Sequence, residues 1–340
     1  MKQKIIIGTS VLLLILAVYL IASDLFRHNP GFTSSACCGD DISSYKKLDS
    51  SRIGYVRFNV FETGMHDLSG IATDDRDRVF VCGSGTICRF DTAGKKTLEF
   101  RTNSTAHCLA IHNTTIYIGT EAGVVCYDTA GNTVGKFYPL NNKGYITSVA
   151  ADDEFVYAAD AMNKIVLKYT VSGDLAAELG KKDSLTGAPG LIIPSLYLDI
   201  ALGSFNDLWM VNPGRLELED YSLSGSMRTS WGRNTCSTEP FMGCCNPAHM
   251  ALLPDGSFVT YEKGIDKIKV YNQAGEFICF VAGAGSFKGN SDFQLGRNNL
   301  VKDLTTDSQG TIYILDAYNR INVFVKTAKE AETHEGKEKI

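Results

Sequence analysis

SVAADDEFVYAADAMNKIVLKYTVSG, residues 148–173, carries the pattern from which the rest of the chain can be read. A short apolar run ends in the polar pair Asp152–Asp153, an aromatic-bearing run ends at Asp160, and a third run reaches Tyr169 before a glycine turn. Short β-rich runs punctuated by Asp, Asn and Gly predict strands joined by tight turns.

The same order recurs five more times. First strands read GIATDD, CLAIHN, SVAADD, DIALGS, HMALLPDG and DLTTDSQG, and anchored on Ala72, Ala110, Ala150, Ala201, Ala251 and Thr305 they repeat at intervals of 38, 40, 51, 50 and 54 residues. The second strands RVFVCG, TIYIGT, FVYAAD, DLWMVN, SFVTYE and TIYILD carry aromatics at or beside one register. A period of this size demands a repeat architecture. Antiparallel units of about four strands then predict an all-β, six-bladed β-propeller.

Two segments, YAADAMNKIVLKY and YILDAYNRINVF, share an aromatic strand, Asp, two residues, Asn, a basic residue and Ile. In this the chain resembles the NHL-repeat family, with a strong match in those two repeats and a looser one in the other four. The resemblance covers about residues 53–327 and implies a propeller with a binding face; some relatives of the fold are lyases or lactone hydrolases working at the central pocket. Asp160 with Asn163, and Asp316 with Asn319, suit turns in which short polar side chains bond the local backbone. The strand pattern Arg52–Phe61 precedes the first repeat and lacks a blade, whereas the sixth repeat has three strands. Pairing the two would close the ring and remove a sheet edge.

Outside residues 53–327 the chain changes character. Lys2 and Lys4 precede Ile5–Ala22, eighteen residues without a charge, which reads as a transmembrane signal anchor over residues 1–25. The positive-inside rule puts its N-terminus in the cytoplasm and the propeller in a periplasm or an extracellular or lumenal space. Residues 26–52 then form an extracytoplasmic linker containing Cys37 and Cys38, and the charged tail 328–340 is expected to be disordered. A net charge of −5, from 33 basic and 38 acidic residues, gives no basic field for nucleic acid. The expected partners are the membrane, through the N-terminal helix, and a protein or extracytoplasmic ligand.

Three blade-to-blade connections are long, about 181–197, 232–247 and 284–299, and should raise a crown on one side of one face. The second carries TCSTEPFMGCCNPAH. Cys236, Cys244, Cys245 and His249 contain enough donors for zinc, and Cys37–Cys38 could complete an iron–sulfur cluster, but the spacing matches neither pattern. Structural disulfides in an oxidising compartment are the leading reading of these cysteines. Cys82 and Cys88 flank a turn and could face each other, while Cys126 and Cys279 read as small buried hydrophobes. Apolar loop residues Leu191, Ile192, Ile193, Phe241 and Met242 are candidate interface positions, with packing against the ring as the alternative.

Two positions before each repeat anchor stand Gly70, Cys108, Ser148, Asp199, His249 and Asp303, which should encircle the axis. His249, Asp199 and Asp303, with His107 and Glu262, are the candidates for a metal-dependent lyase or hydrolase at the centre. The alternative is that this register points between sheets, where Asp199 and His249 merely satisfy backbone groups. No motif fixes a nucleophile or base, so a binding scaffold working through the long-loop face is the first functional expectation. A redox component with a cysteine-held cluster, zinc or exchanging disulfides is the alternative.

Overall fold

The computed structural model describes residues 43–139, 143–232, 239–242, 245–287 and 299–327. Strand β1 (Tyr55–Glu62) comes first, followed by blade one: β2 (Leu68–Thr73), β3 (Val79–Gly83), β4 (Thr86–Phe90) and β5 (Lys96–Arg101). Blade two holds β6 (Cys108–His112), β7 (Thr115–Thr120), β8 (Gly123–Asp128) and β9 (Thr133–Phe137). Blade three holds β10 (Ile146–Ala151), β11 (Phe155–Asp160), β12 (Ile165–Thr170) and β13 (Leu175–Leu179). Blade four holds β14 (Ile200–Leu202), β15 (Asp207–Asn212), β16 (Glu217–Ser222) and β17 (Met227–Gly232). Blade five holds β18 (His249–Leu252), β19 (Phe258–Glu262), β20 (Lys267–Tyr271) and β21 (Phe277–Ala282). Blade six adds β22 (Val301–Thr306), β23 (Ile312–Asp316) and β24 (Arg320–Lys326).

Each blade is a four-stranded antiparallel sheet, and the sixth is completed by β1 in the order β1-β24-β23-β22. The pairing runs from Tyr55 opposite Lys326 to Glu62 opposite Arg320. Closure therefore joins the two ends of the ring by an antiparallel ladder, interrupted by one bulge between Arg57 and Asn59, as the unpaired N-terminal pattern predicted. Inner strands touch in cyclic order, β2 with β6, β6 with β10, β10 with β14, β14 with β18, β18 with β22, and β22 with β2. Second strands are buried on both faces, as β3, β15, β19 and β23 show, because each sheet is covered by its two neighbours. Fourth strands such as β5 and β9 are largely exposed.

Local chemistry explains how the blades are linked. Asp160, at the end of β11, accepts hydrogen bonds from the backbone N–H groups of Tyr145 and Asn163, each at 3.1 Å, and Asn163 Nδ2 donates to its other oxygen at 2.7 Å. Asp316 accepts from the N–H groups of Tyr318 and Arg320 at 2.9 and 3.0 Å. The equivalent strand ends receive the long connections: Asn212 Oδ1 accepts from Ile192 N at 3.0 Å and Glu262 Oε2 from Met242 N at 2.8 Å. A chain passing over the ring buries backbone donors, and these side chains satisfy them.

Several expectations are corrected. Phe241 and Met242 are 0% and 4% exposed, with Phe241 stacked on Trp231 at 5.5 Å and edge-on to Tyr271. They fasten the cysteine loop to blades four and five. Leu191 and Ile193 are likewise buried, in one cluster with Leu198, Ile200, Met210 and Tyr221; Ile192 alone of the three is exposed, at 40%. Cys82 and Cys88 do not oppose each other, since Val81 is opposite Cys88 and Cys82 opposite Ile87. Among the described residues no helix is long and apolar enough to cross a membrane. The run Ile5–Ala22, Cys37, Cys38, Cys236, Cys244 and the tail 328–340 lie outside those residues.

Candidate functional site

The first residues of the inner strands converge at one mouth of the central channel. Asp199 immediately precedes β14, His249 opens β18 and Asp303 lies in β22. Asp199 Oδ1 accepts from Ile200 N at 2.9 Å, and its Oδ2 accepts from Met250 N of the next blade at 2.8 Å. Asp303 does the same across the ring closure, accepting from Leu304 N at 2.8 Å and from Ile71 N at 2.9 Å. Each carboxylate thus stitches one inner strand to the next.

The same carboxylates also face one imidazole. His249 Nδ1 lies 3.5 Å from Asp303 Oδ1 and 3.8 Å from Asp199 Oδ2. One donor atom from each of the three residues fits within 4.8 Å of the others. Among the described residues neither carboxylate has a lysine or arginine partner. Burial pushes the Asp199 carboxyl up to about 6, against the hydrogen bonds that favour its charge. Burial, and then the Asp199 charge, raise Asp303 well above the carboxylate range. Burial and the Lys263 ammonium push His249 down to about 4, leaving a neutral imidazole at physiological pH.

The other ring positions are small. A Cβ on Gly70 would sit 3.0 Å from the Cys108 backbone, and the Cys108 thiol, buried and held protonated, points its Sγ to Ile146 O at 3.7 Å. Ser148 Oγ bonds the backbone of Ile200. One side of the ring is therefore close-packed and neutral, and the other carries the three polar side chains.

Two adjoining cavities of about 460 and 300 Å³ open over this ring and share Ser69, Tyr197, His249 and Lys302. The smaller one reaches Asp199, His107 and Tyr145. His107 stacks on Tyr145 at 4.2 Å, burial lowers its pKa, and its buried Nε2 has no hydrogen-bond partner among the described residues. Tyr197 meets His249 edge-on at 5.8 Å, and the Lys263 ammonium lies 4.0 Å over the Tyr197 ring. Lys302 Nζ donates to Leu68 O at 2.7 Å and to Asn319 Oδ1 at 3.0 Å.

Of the sequence candidates, His249, Asp199, Asp303 and His107 are brought to this mouth. Glu262 is not: it is fully buried in blade five, ion-paired with Lys269 and bonded to Met242 N. Of the cysteine-loop set only Cys245 and His249 are described, and Cys245 is a half-buried free thiol in left-handed backbone with φ 63°. Sequence reasoning missed Tyr145, Tyr197 and Lys302. A usable signal was present, because residues one to three places ahead of the inner-strand ring positions, such as His107, Tyr145 and Tyr197, form the rim of the mouth.

The chain matches no known family's sequence pattern, and no curated protein matches it. Among solved structures it is similar to a streptogramin B lyase, at 14% identity over 81% of this chain and 98% of that one, with a TM-score of 0.58. A catalytically inactive histidine-to-alanine variant of virginiamycin B lyase from Staphylococcus aureus, with quinupristin, is 15% identical over 80% and 99%, TM-score 0.55. A structural-genomics protein of unknown function from Bacteroides thetaiotaomicron is 16% identical over 81% and 74%, TM-score 0.55. At such identities, what these structures share with the chain is the six-bladed propeller.

Proposed function

We propose that this protein is a membrane-anchored, extracytoplasmic, NHL-type propeller that binds a small ligand at its axial mouth through a divalent cation held by Asp199, His249 and Asp303. The observation that carries the reading is the convergence of two carboxylates and a neutral imidazole with no cationic partner among the described residues. Two partly buried carboxylates side by side repel, and a bound cation relieves that cost. The donors fit the task, because each carboxylate oxygen accepts one N–H and keeps a second lone pair. Oxygen-rich donors with a single imidazole suit Mg²⁺ or Mn²⁺ better than a thiophilic ion. The anchor rests on the Ile5–Ala22 run and the two lysines before it.

The site is tested on the full chain, purified in detergent and stripped with chelator, by titrating Mn²⁺ and reading the free ion by EPR. One ion per chain is expected, weakened at least tenfold in Asp199→Asn and His249→Gln. Equal binding by wild type and both variants would sink the reading. Retention of the protein in the membrane after an alkaline carbonate wash checks the anchor.

A second reading makes the same mouth catalytic, as a metal-dependent lyase or hydrolase. It is favoured by His107, a second neutral imidazole whose Nε2 lacks a partner beside the cation-binding group, and by the fold shared with proteins described as lyases. A cation at this place would polarise a ligand carbonyl. His107 would take or give a proton on that ligand, and Tyr145, stacked on it, would hold its ring in place. The redox alternative, with Cys37, Cys38, Cys236, Cys244 and Cys245 carrying iron–sulfur or zinc, rests on the sequence; iron or zinc that disappears in the Cys244→Ser/Cys245→Ser variant would support it.

A further inference from the structure

Resting on the cation-holding reading, we infer that the ligand of the axial mouth is a small organic anion with an apolar or aromatic body, its carboxylate received between the cation and Lys302. The charge on the cavity wall points this way. Asp199 is the carboxylate among the described lining residues, Asp303 stands beside it against the His249 ring, and a divalent cation balances both. Lys302 then remains as a positive group on the wall of both cavities. The loaded site is therefore net positive, although Asp67 and Asp316 act on Lys302 from outside the lining.

The placement of Lys302 supports a recognition role. Its ammonium spends two of its three N–H donors on Leu68 O and Asn319 Oδ1, which fixes its position and leaves one donor. It is next to Asp303 in β22, so both ends of the expected contact are set by one strand. Lys302 is half-buried, so its charge is held where water is scarce and an anionic oxygen gains most.

The rest of the wall decides what accompanies the carboxylate. Tyr145 stacked on His107, the Tyr197 ring and Leu196 are the aromatic and apolar members of the wall. Cavities of about 460 and 300 Å³ suit a molecule of metabolite size, not a polymer. A carboxylate gripped at one end, with a ring or short apolar chain laid against the tyrosines, uses both the polar and the apolar lining.

The test uses the full chain in detergent, loaded with Mn²⁺, and two probes of nearly equal size that share the phenyl body and differ in head group, anionic phenylacetate and neutral phenylacetamide. Relaxation of the probe's ring protons by the bound ion reports occupancy, and EPR on the same sample reports Mn²⁺. Phenylacetate is expected to bind at least tenfold more tightly than the amide. Lys302→Met should erase that preference while one Mn²⁺ per chain is still bound and the amide keeps its affinity within about threefold of wild type, and Lys302→Arg should keep most of the preference. A merely structural Lys302 would lower both probes together. Equal binding of acid and amide, binding of neither with Mn²⁺ in place, or an unchanged preference in Lys302→Met would each overturn the inference. Failure of Mn²⁺ itself to bind is a separate result, which removes the cation-holding reading and this one with it.

Discussion

Blade five takes part in two acidic clusters that differ in one respect, one within its own sheet and one shared with blades four and six. At the outer end of β19, Glu262 is fully buried and paired with an equally buried Lys269, whose ammonium also donates to Pro240 O at 3.3 Å. At the inner end of the same blade, His249 stands between Asp199 and Asp303, and the partner it offers those carboxylates is a neutral ring. Burial raises the pKa of all three acids, but in Glu262 the Lys269 charge acts against it. The paired cluster is finished and holds a loop. The unpaired one lacks a positive charge, and a fold keeps such a deficit where something else supplies it.

Opposite responses to neutralisation would sharpen this contrast. The largest effect is expected from Lys269→Met, which strands Glu262 as an uncompensated buried charge and should cost about 3–5 kcal/mol in urea unfolding. Adding Glu262→Gln should restore part of it. If Lys269→Met unfolds like wild type, the pair is not what fastens the cysteine loop.

Asp199→Asn should act with the other sign. Its amide oxygen can still accept from Met250 N while Ile200 N loses its acceptor, so in chelator at pH 8 the relief of charge should leave the variant more stable than wild type by at most about 1 kcal/mol. The advantage depends on pH in a stated direction. A carboxyl raised to about 6 keeps its proton in the folded chain while the unfolded chain has lost it, so its contribution is present at low pH and is lost as pH rises from about 4 through 6. His249, lowered to about 4, works the opposite way and gains stability over the same window, whereas raised Asp303 adds to the loss. Asp199 and His249 therefore offset each other over much of the window, and the raised Asp303 leaves a net decline in the cation-free wild type as pH rises. Asp199→Asn should flatten that slope, and urea midpoints at pH 4, 5 and 6 would show it.

Mn²⁺ competes with those protons. Its apparent affinity should fall about tenfold per pH unit below pH 6, read by the same EPR titration. An affinity indifferent to pH between 7 and 5 would place the ion elsewhere. The smallest effect is expected at Ile192: Ile192→Ser should change stability by about 0.5 kcal/mol, against about 2–5 for Leu191→Ala beside it. Equal losses would mean the loop is anchored by more than its buried side.

Much of the ring could be read before any fold was known. Turn chemistry and strand alternation are local, and they located the six first strands and the Asp160 and Asp316 turns. The closing strand was visible as a pattern without a blade, and it forms as Tyr55–Glu62. Loop burial could not be read. Phe241 and Met242 look the same in sequence whether they face a partner or a box formed by Trp231 and Tyr271, because the box is assembled from two blades. Glu262 looked like a candidate acid until its diagonal cross-strand neighbour Lys269 came into contact with it.

By itself the sequence determined the repeat, the number of blades and the equivalence of Asp199, His249 and Asp303, because each follows from spacing along the chain. Only the tertiary structure decided that these three, 50 and 54 residues apart, share one small volume. It also placed the Lys302 ammonium on the cavity wall and the Glu262 carboxylate against Lys269. The physical reason is that periodicity specifies which face a residue belongs to, whereas charge compensation and burial depend on what other strands bring to that face.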